Sequence, residues 1–142
     1  MKRIALLIAL MALSGCASTP QGLRLGDLRS PDYFRGERGI PMTFPKIQMA
    51  LIKHQRACGY GPEFTLDDRE TSYATITYKA PGDSGYERTV IADLTQYQGT
   101  LMEEERSRAK IYSYYSDAVA KERIEQLFAA IFKPGVCPEA AQ

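Results

Sequence analysis

The chain reads as a small two-layer α+β domain: a helix, then three to five antiparallel strands, then a second helix, with both helices on one sheet face. Three observations predict this. Apolar residues recur at helical spacing over 45–58 and again over 117–132, each time as a single stripe. Between those segments the chain alternates apolar and polar with period two, as strands with one buried face do. A helix with one apolar stripe needs one surface to cover, and a sheet with one apolar face supplies it.

The elements follow in order. Pro45 suits a first helical turn, where its missing N–H has no partner in any case. Ile47, Ala50, Leu51, His54 and Cys58 then lie along one side, and Gly59 is placed to cap the helix. Residues 64–66 read as a short edge strand. Over 72–79, Ala74, Ile76 and Tyr78 point one way and Tyr73, Thr75 and Thr77 the other. The turn at 81–85, rich in glycine and proline, makes the next strand, 86–96, its hairpin partner. That strand places Val90, Ala92 and Leu94 inward and Thr89, Ile91, Asp93 and Thr95 outward. Gly99 marks a further turn. Residues 101–114 read as one bent strand or two short ones, with Ala109, Ile111 and Ser113 inward and Arg108, Lys110, Tyr112 and Tyr114 outward. Ser116 or Asp117 caps the second helix. Ala120, Ile124, Leu127, Phe128 and Ile131 form its stripe, and Pro134-Gly135 stops it.

The N-terminus is of a different kind. Met1-Lys2-Arg3 is basic, residues 4–13 are an unbroken apolar run, and Leu13-Ser14-Gly15-Cys16 follows. The run is shorter than the roughly 20 residues a membrane span requires but fits the apolar region of a secretory signal. Small residues leading into a cysteine resemble the lipobox of bacterial lipoproteins. The resemblance covers the first sixteen residues only. It implies that residues 1–15 are a signal peptide and that Cys16 becomes the first residue, carrying diacylglycerol through a thioether. Palmitate is then a constituent of the anchor. In Gram-negative lipoproteins an aspartate after that cysteine tends to hold the protein at the inner membrane. Ala17 stands here, which implies the outer membrane, facing the periplasm; a Gram-positive source would place it outside the cell membrane.

With residues 1–15 removed, the chain divides into a lipidated N-terminus and tether, 16–42, and an α+β domain, 43–142. The tether carries Pro20, Gly22, Pro31, Gly36, Gly39 and Pro41, too much punctuation for regular structure. Fully extended, it would hold the domain up to roughly 80 Å from the bilayer. Leu23, Leu25, Leu28, Tyr33, Phe34 and Ile40 make it stickier than a plain linker, so its second half is expected to lie along the domain, with Tyr33-Phe34 as a docking element the other reading. Loss of Lys2 and Arg3 leaves sixteen basic residues against seventeen acidic ones, and near-neutrality gives no reason to expect nucleic acid. The chain has no tryptophan and no second long apolar run, which argues against a further membrane span.

If Cys16 carries lipid, Cys58 and Cys137 remain as an even pair in an exported chain, where oxidising conditions favour a disulfide. Closing so long a loop stabilises by roughly 4 kcal/mol in the chain-entropy treatment. The bridge would fasten the end of the first helix to the segment after the second. No Cys-x-x-Cys spacing suggests a redox pair, and His54, the single histidine, does not complete a metal site.

No catalytic constellation emerges. His54 is mid-helix and no nucleophile-elbow sequence is present. Glu103 and Glu105 would share a strand face with Glu104 opposite, and with Asp67-Asp68 they read as solvated charge protecting edges. The glycines of 81–85 lack the lysine of a phosphate loop. No cofactor is expected. The outward sheet face is the candidate binding surface: Tyr73, Thr75, Arg108, Lys110, Tyr112 and Tyr114, with Thr77, Ile91 and Asp93 beside them. Tyrosine and arginine concentrate binding energy because they join large contact area to directional polar groups. The expected function is therefore non-catalytic: a membrane-anchored envelope lipoprotein that binds a protein, a glycan or another envelope component. The alternatives are a carrier of a small ligand or lipid between helices and sheet and, further off, an inhibitor of an envelope-attacking hydrolase.

Overall fold

The computed structural model describes residues 22–99 and 106–139. In chain order they form β1 (Phe34–Ile40), α1 (Phe44–Cys58), β2 (Glu63–Leu66), β3 (Tyr73–Tyr78), β4 (Val90–Gln96), β5 (Ser107–Ser113) and α2 (Ala118–Phe132). The strands make one five-stranded sheet in the order β1-β5-β4-β3-β2, antiparallel throughout.

Local chemistry sets the helix ends. Pro45 stands in the first turn of α1, and the Phe44 N–H donates to Gln96 Oε1 at 2.6 Å. Gly59 closes the helix in the left-handed region (φ 77°), its N–H donating to the Gln55 carbonyl at 2.8 Å. Asp117 caps α2 by accepting from the Ala120 N–H at 2.9 Å.

Both helices lay their stripes on the same face. Phe44, Ile47 and Leu51 of α1 join Ile124, Leu127, Phe128 and Ile131 of α2 over Ile76, Val90, Ala92, Leu94, Ala109 and Ile111 of the sheet, all buried. Two polar groups at this layer find partners: Tyr78 Oη donates to Gln126 Oε1 at 3.0 Å, and Ser107 Oγ to the Met42 carbonyl at 2.7 Å. The Cys58 and Cys137 sulfurs lie at bonding distance, 2.01 Å, with Cα atoms 5.4 Å apart. They tie the end of α1 to the segment after α2, the pairing that the cysteine count anticipates.

The structure corrects several expectations. Regular structure begins well before residue 43. Leu25–Arg29 and Pro31–Tyr33 are short 3₁₀ turns, and Phe34–Ile40 is an edge strand paired with β5. Glycine does not break β1, because its polar residues face solvent at the sheet edge and Gly36 (φ 133°) sits at an irregularity where an extra residue is absorbed. The tether's second half lies along the domain. Its possible reach from Cys16 therefore shrinks well below 80 Å. The strand expected from residue 86 starts at Val90. Thr89 belongs to a turn closed onto the Tyr86 carbonyl (3.0 Å) and is fully buried rather than outward. The β5 strand ends at Ser113, so Tyr114 lies just past it. His54, on the inward stripe of α1, is 2 % exposed, its Nδ1 3.8 Å from the Cys58 sulfur. Glu103, Glu104 and Glu105 lie outside the described residues.

Candidate functional site

The antiparallel registers place the outward residues in rows across the sheet. Tyr73, Thr95, Arg108 and Gly39 stand opposite one another; so do Thr75, Asp93, Lys110 and Glu37; so do Thr77, Ile91, Tyr112 and Phe34. Directly opposed residues share a face, so Tyr73, Thr75, Arg108, Lys110 and Tyr112 are brought together as expected. Tyr114 joins at the β5 end, between the rings of Tyr33 (5.0 Å) and Tyr115 (4.9 Å).

The face is not fully open. The arm formed by Leu25–Arg29 and Pro31–Tyr33 crosses it. Leu28 and Ile91 are both completely buried although neither belongs to the core under the helices. Beside them Arg29 grips the sheet with a fork. Its Nε donates to Asp93 Oδ2 at 2.7 Å, and its Nη2 donates to Asp93 Oδ1 at 2.9 Å and Thr75 Oγ1 at 3.1 Å. Thr75 Oγ1 in turn donates to Asp93 Oδ1 at 3.0 Å. The hydrogen bond to Asp93 raises the Arg29 pKa further, against a smaller opposing effect of burial. Asp93 is thus engaged, and Ile91 and Thr75 are covered or half-covered.

Past the arm the chain is pinned at the far end of the face. Arg35 Nη2 donates to the Tyr114 carbonyl at 3.0 Å and Nη1 to the Asp32 carbonyl at 3.3 Å. Phe34 meets the Tyr112 ring edge-on at 5.7 Å, and the Arg88 guanidinium lies 4.1 Å above the Tyr115 ring. Tyr33-Phe34 therefore docks on its own domain.

What remains accessible is a band around the arm. Tyr73 is 45 % and Tyr97 44 % exposed, and the Lys110 side chain reaches solvent 4.0 Å from Glu37. Arg108 stands over the Tyr97 ring with its Cζ 5.7 Å from the centroid. Between Arg29 and the β2–β3 turn the surface dips into an open depression of about 610 Å³ edged by Leu66, Asp67, Asp68, Tyr73 and Lys110. Asp67 serves the turn: its Oδ1 accepts from the Arg69 N–H (2.8 Å) and the Glu70 N–H (3.0 Å), which lowers its pKa. Among the described residues no three histidine, cysteine or acidic side chains are grouped to hold a metal ion. Nor is any helix among them long and apolar enough to cross a membrane.

The arm is what sequence reasoning placed only loosely. Its signal was Leu25 and Leu28 inside a polar stretch; Arg29 gave none, because its partner Asp93 is distant in the chain. No known protein family matches the chain, and neither the curated proteins nor the solved structures contain a significant match.

Proposed function

We propose that this chain is a lipid-anchored protein of the bacterial envelope, non-catalytic, whose outward sheet face meets a protein or another envelope component. Two features support the anchor: the basic and apolar start that leads into Leu13-Ser14-Gly15-Cys16, and the cysteine pair Cys58–Cys137 that suits an oxidising compartment. By the same resemblance the outer membrane is its place, facing the periplasm.

The single observation that carries the binding reading is the asymmetry of the sheet. One face is sealed by two helices; the other presents exposed tyrosine and basic side chains around an arm that runs back toward Cys16. The carrier reading finds less support. The layer where cargo would sit is filled by Ile47, Leu51, Ile76, Leu94, Leu127 and Ile131, each at most 3 % exposed.

A paired experiment tests the reading. Wild-type protein grown with an alkyne fatty acid should be labelled and processed, whereas Cys16→Ser should accumulate unlabelled with its leader attached. Photo-crosslinkers at Tyr73 and Arg108 should capture an envelope component, and crosslinkers on the exposed side of α2 should not. Capture from α2 alone would contradict the assignment of the face.

A further inference from the structure

We propose that the β1–β5 side of the outward sheet face rests against the headgroup layer of the bilayer that holds the lipid on Cys16. The inference rests on the anchor reading above and names the envelope component that this face meets.

Chain length and the place where the chain joins the fold carry the argument. Nine residues, 16–24, separate the anchor from the first turn of the arm. Fully extended they reach at most about 32 Å. A domain of this size has a radius of gyration near 13 Å, hence a diameter of about 34 Å. The arm is seated on the outward face by buried Leu28 and by the Arg29 fork onto Asp93 and Thr75. Turning the helical face to the bilayer would take the linker halfway round the domain, on the order of 50 Å for such a diameter. That exceeds its reach. The helices are held away from the membrane, and the arm-bearing face is held near it.

The exposed chemistry fits a headgroup layer. Tyrosine collects at membrane–water interfaces because its ring is apolar and its tip polar. Phe34, Tyr112 and Tyr114 gather at one end of this face together with Tyr33, and Tyr115 packs against Tyr114 on the way to α2. Arg108 and Lys110 on β5 have apolar stems that let their charged heads extend to lipid phosphates. The carboxylates near β5 are mostly engaged: Asp93 is held by Arg29, Glu37 stands beside Lys110, and Asp27 on the arm accepts from the Arg24 N–H at 2.8 Å, leaving Asp32 exposed beside the basic Arg29 and Arg35. Asp67, Asp68 and Glu70 gather at the β2–β3 turn, on the opposite side of the sheet from β1. Anionic headgroups repel that corner and draw the β5 side closer.

The chain contains no tryptophan, so any tryptophan introduced is a unique fluorescent reporter. Mature lipidated protein carrying Tyr114→Trp, Tyr73→Trp or Met49→Trp is reconstituted into phosphatidylethanolamine–phosphatidylglycerol vesicles that contain a lipid with a nitroxide on its headgroup. Met49 lies on the exposed side of α1 and is 71 % exposed, so it reports the helical face. Quenching should be severalfold stronger for Tyr114→Trp than for Met49→Trp, with Tyr73→Trp between them. Adding Arg108→Gln and Lys110→Gln to the Tyr114→Trp protein should weaken its quenching. Equal quenching of Tyr114→Trp and Met49→Trp, or no quenching of Tyr114→Trp in labelled protein, overturns the orientation. Capture of a protein by the unquenched face would overturn it in the same way. Absence of fatty-acid label on the reconstituted protein refutes the anchor itself, a separate readout on the same sample.

Discussion

Truncation of Leu28 to alanine should loosen the arm without dissolving the domain. Leu28 and Ile91 are fully buried against the outward side of the sheet, apart from the core beneath the helices. Burying a leucine side chain contributes about 1.5–3 kcal/mol, and a buried Leu→Ala change costs about 2–5 kcal/mol when the surroundings cannot relax. Here they relax, because the arm is a terminal segment that can lift. The loss is then capped by the free energy that holds the arm down, and about 2–3 kcal/mol is expected. Lifting also exposes Ile91 and frees Asp93 from Arg29. Arg29→Ala should cost less, about 0.5–1 kcal/mol, because its fork is partly solvated. Two assays report on this: urea denaturation, where the midpoint should fall, and limited trypsin digestion, where cleavage after Arg29 should accelerate. If Leu28→Ala leaves both the midpoint and the cleavage rate as in wild type, the arm does not belong to the folded unit and the argument from its position fails.

Other outcomes follow from the same structure. Ile111→Ala, in the core beneath the helices, should cost about 2–5 kcal/mol in chemical denaturation, whereas Tyr73→Ala with Arg108→Ala should shift stability by less than about 0.5 kcal/mol per site; the reverse order would mean that the sheet register is off by one residue. Alkylation of the denatured, unreduced protein should modify neither Cys58 nor Cys137, and Cys58→Ser with Cys137→Ser should lower the melting temperature through loss of about 4 kcal/mol of loop constraint. The Asp117 carboxyl is held below its ordinary value of 3.8, first by the Ala120 N–H and then by Arg88. Such a group stabilises the fold above its ordinary value and loses that contribution as pH falls through the depressed one. Its titration followed by NMR should therefore give a midpoint below 3.8, and Asp117→Asn should flatten the acid limb of the stability profile; a midpoint at or above 3.8 would contradict the cap.

Both helices and the three inner strands were legible because each turns one apolar face to the common core, and that imposes a period. Ala120, Ile124, Leu127, Phe128 and Ile131 repeat as a helix must, and Ala74, Ile76 and Tyr78 alternate as a strand must. The β1 strand was not legible for the same reason. Its polar residues serve both sides of a sheet edge, as where Arg38 pairs with Glu125 and lies 4.5 Å over the Phe128 ring. No period survives there, and glycine at 36 and 39 masks it further. The candidate face was legible as alternation, so Tyr73, Arg108 and Tyr112 could be grouped in advance. Its partial covering was not. The Arg29–Asp93 contact joins residues 64 apart in the chain, and no local pattern encodes such a pairing.

Cys16 is the residue on which the proposed anchor depends, and the most direct test is the intact mass of the protein purified from the membrane fraction. The expected species starts at Cys16, lacks residues 1–15 and carries the added mass of a diacylglycerol thioether on that cysteine, with Cys58 and Cys137 two hydrogens short of their free thiols. A species that keeps Met1, or one cleaved elsewhere with an unmodified Cys16, would contradict the anchor and with it the placement of the sheet face at the membrane.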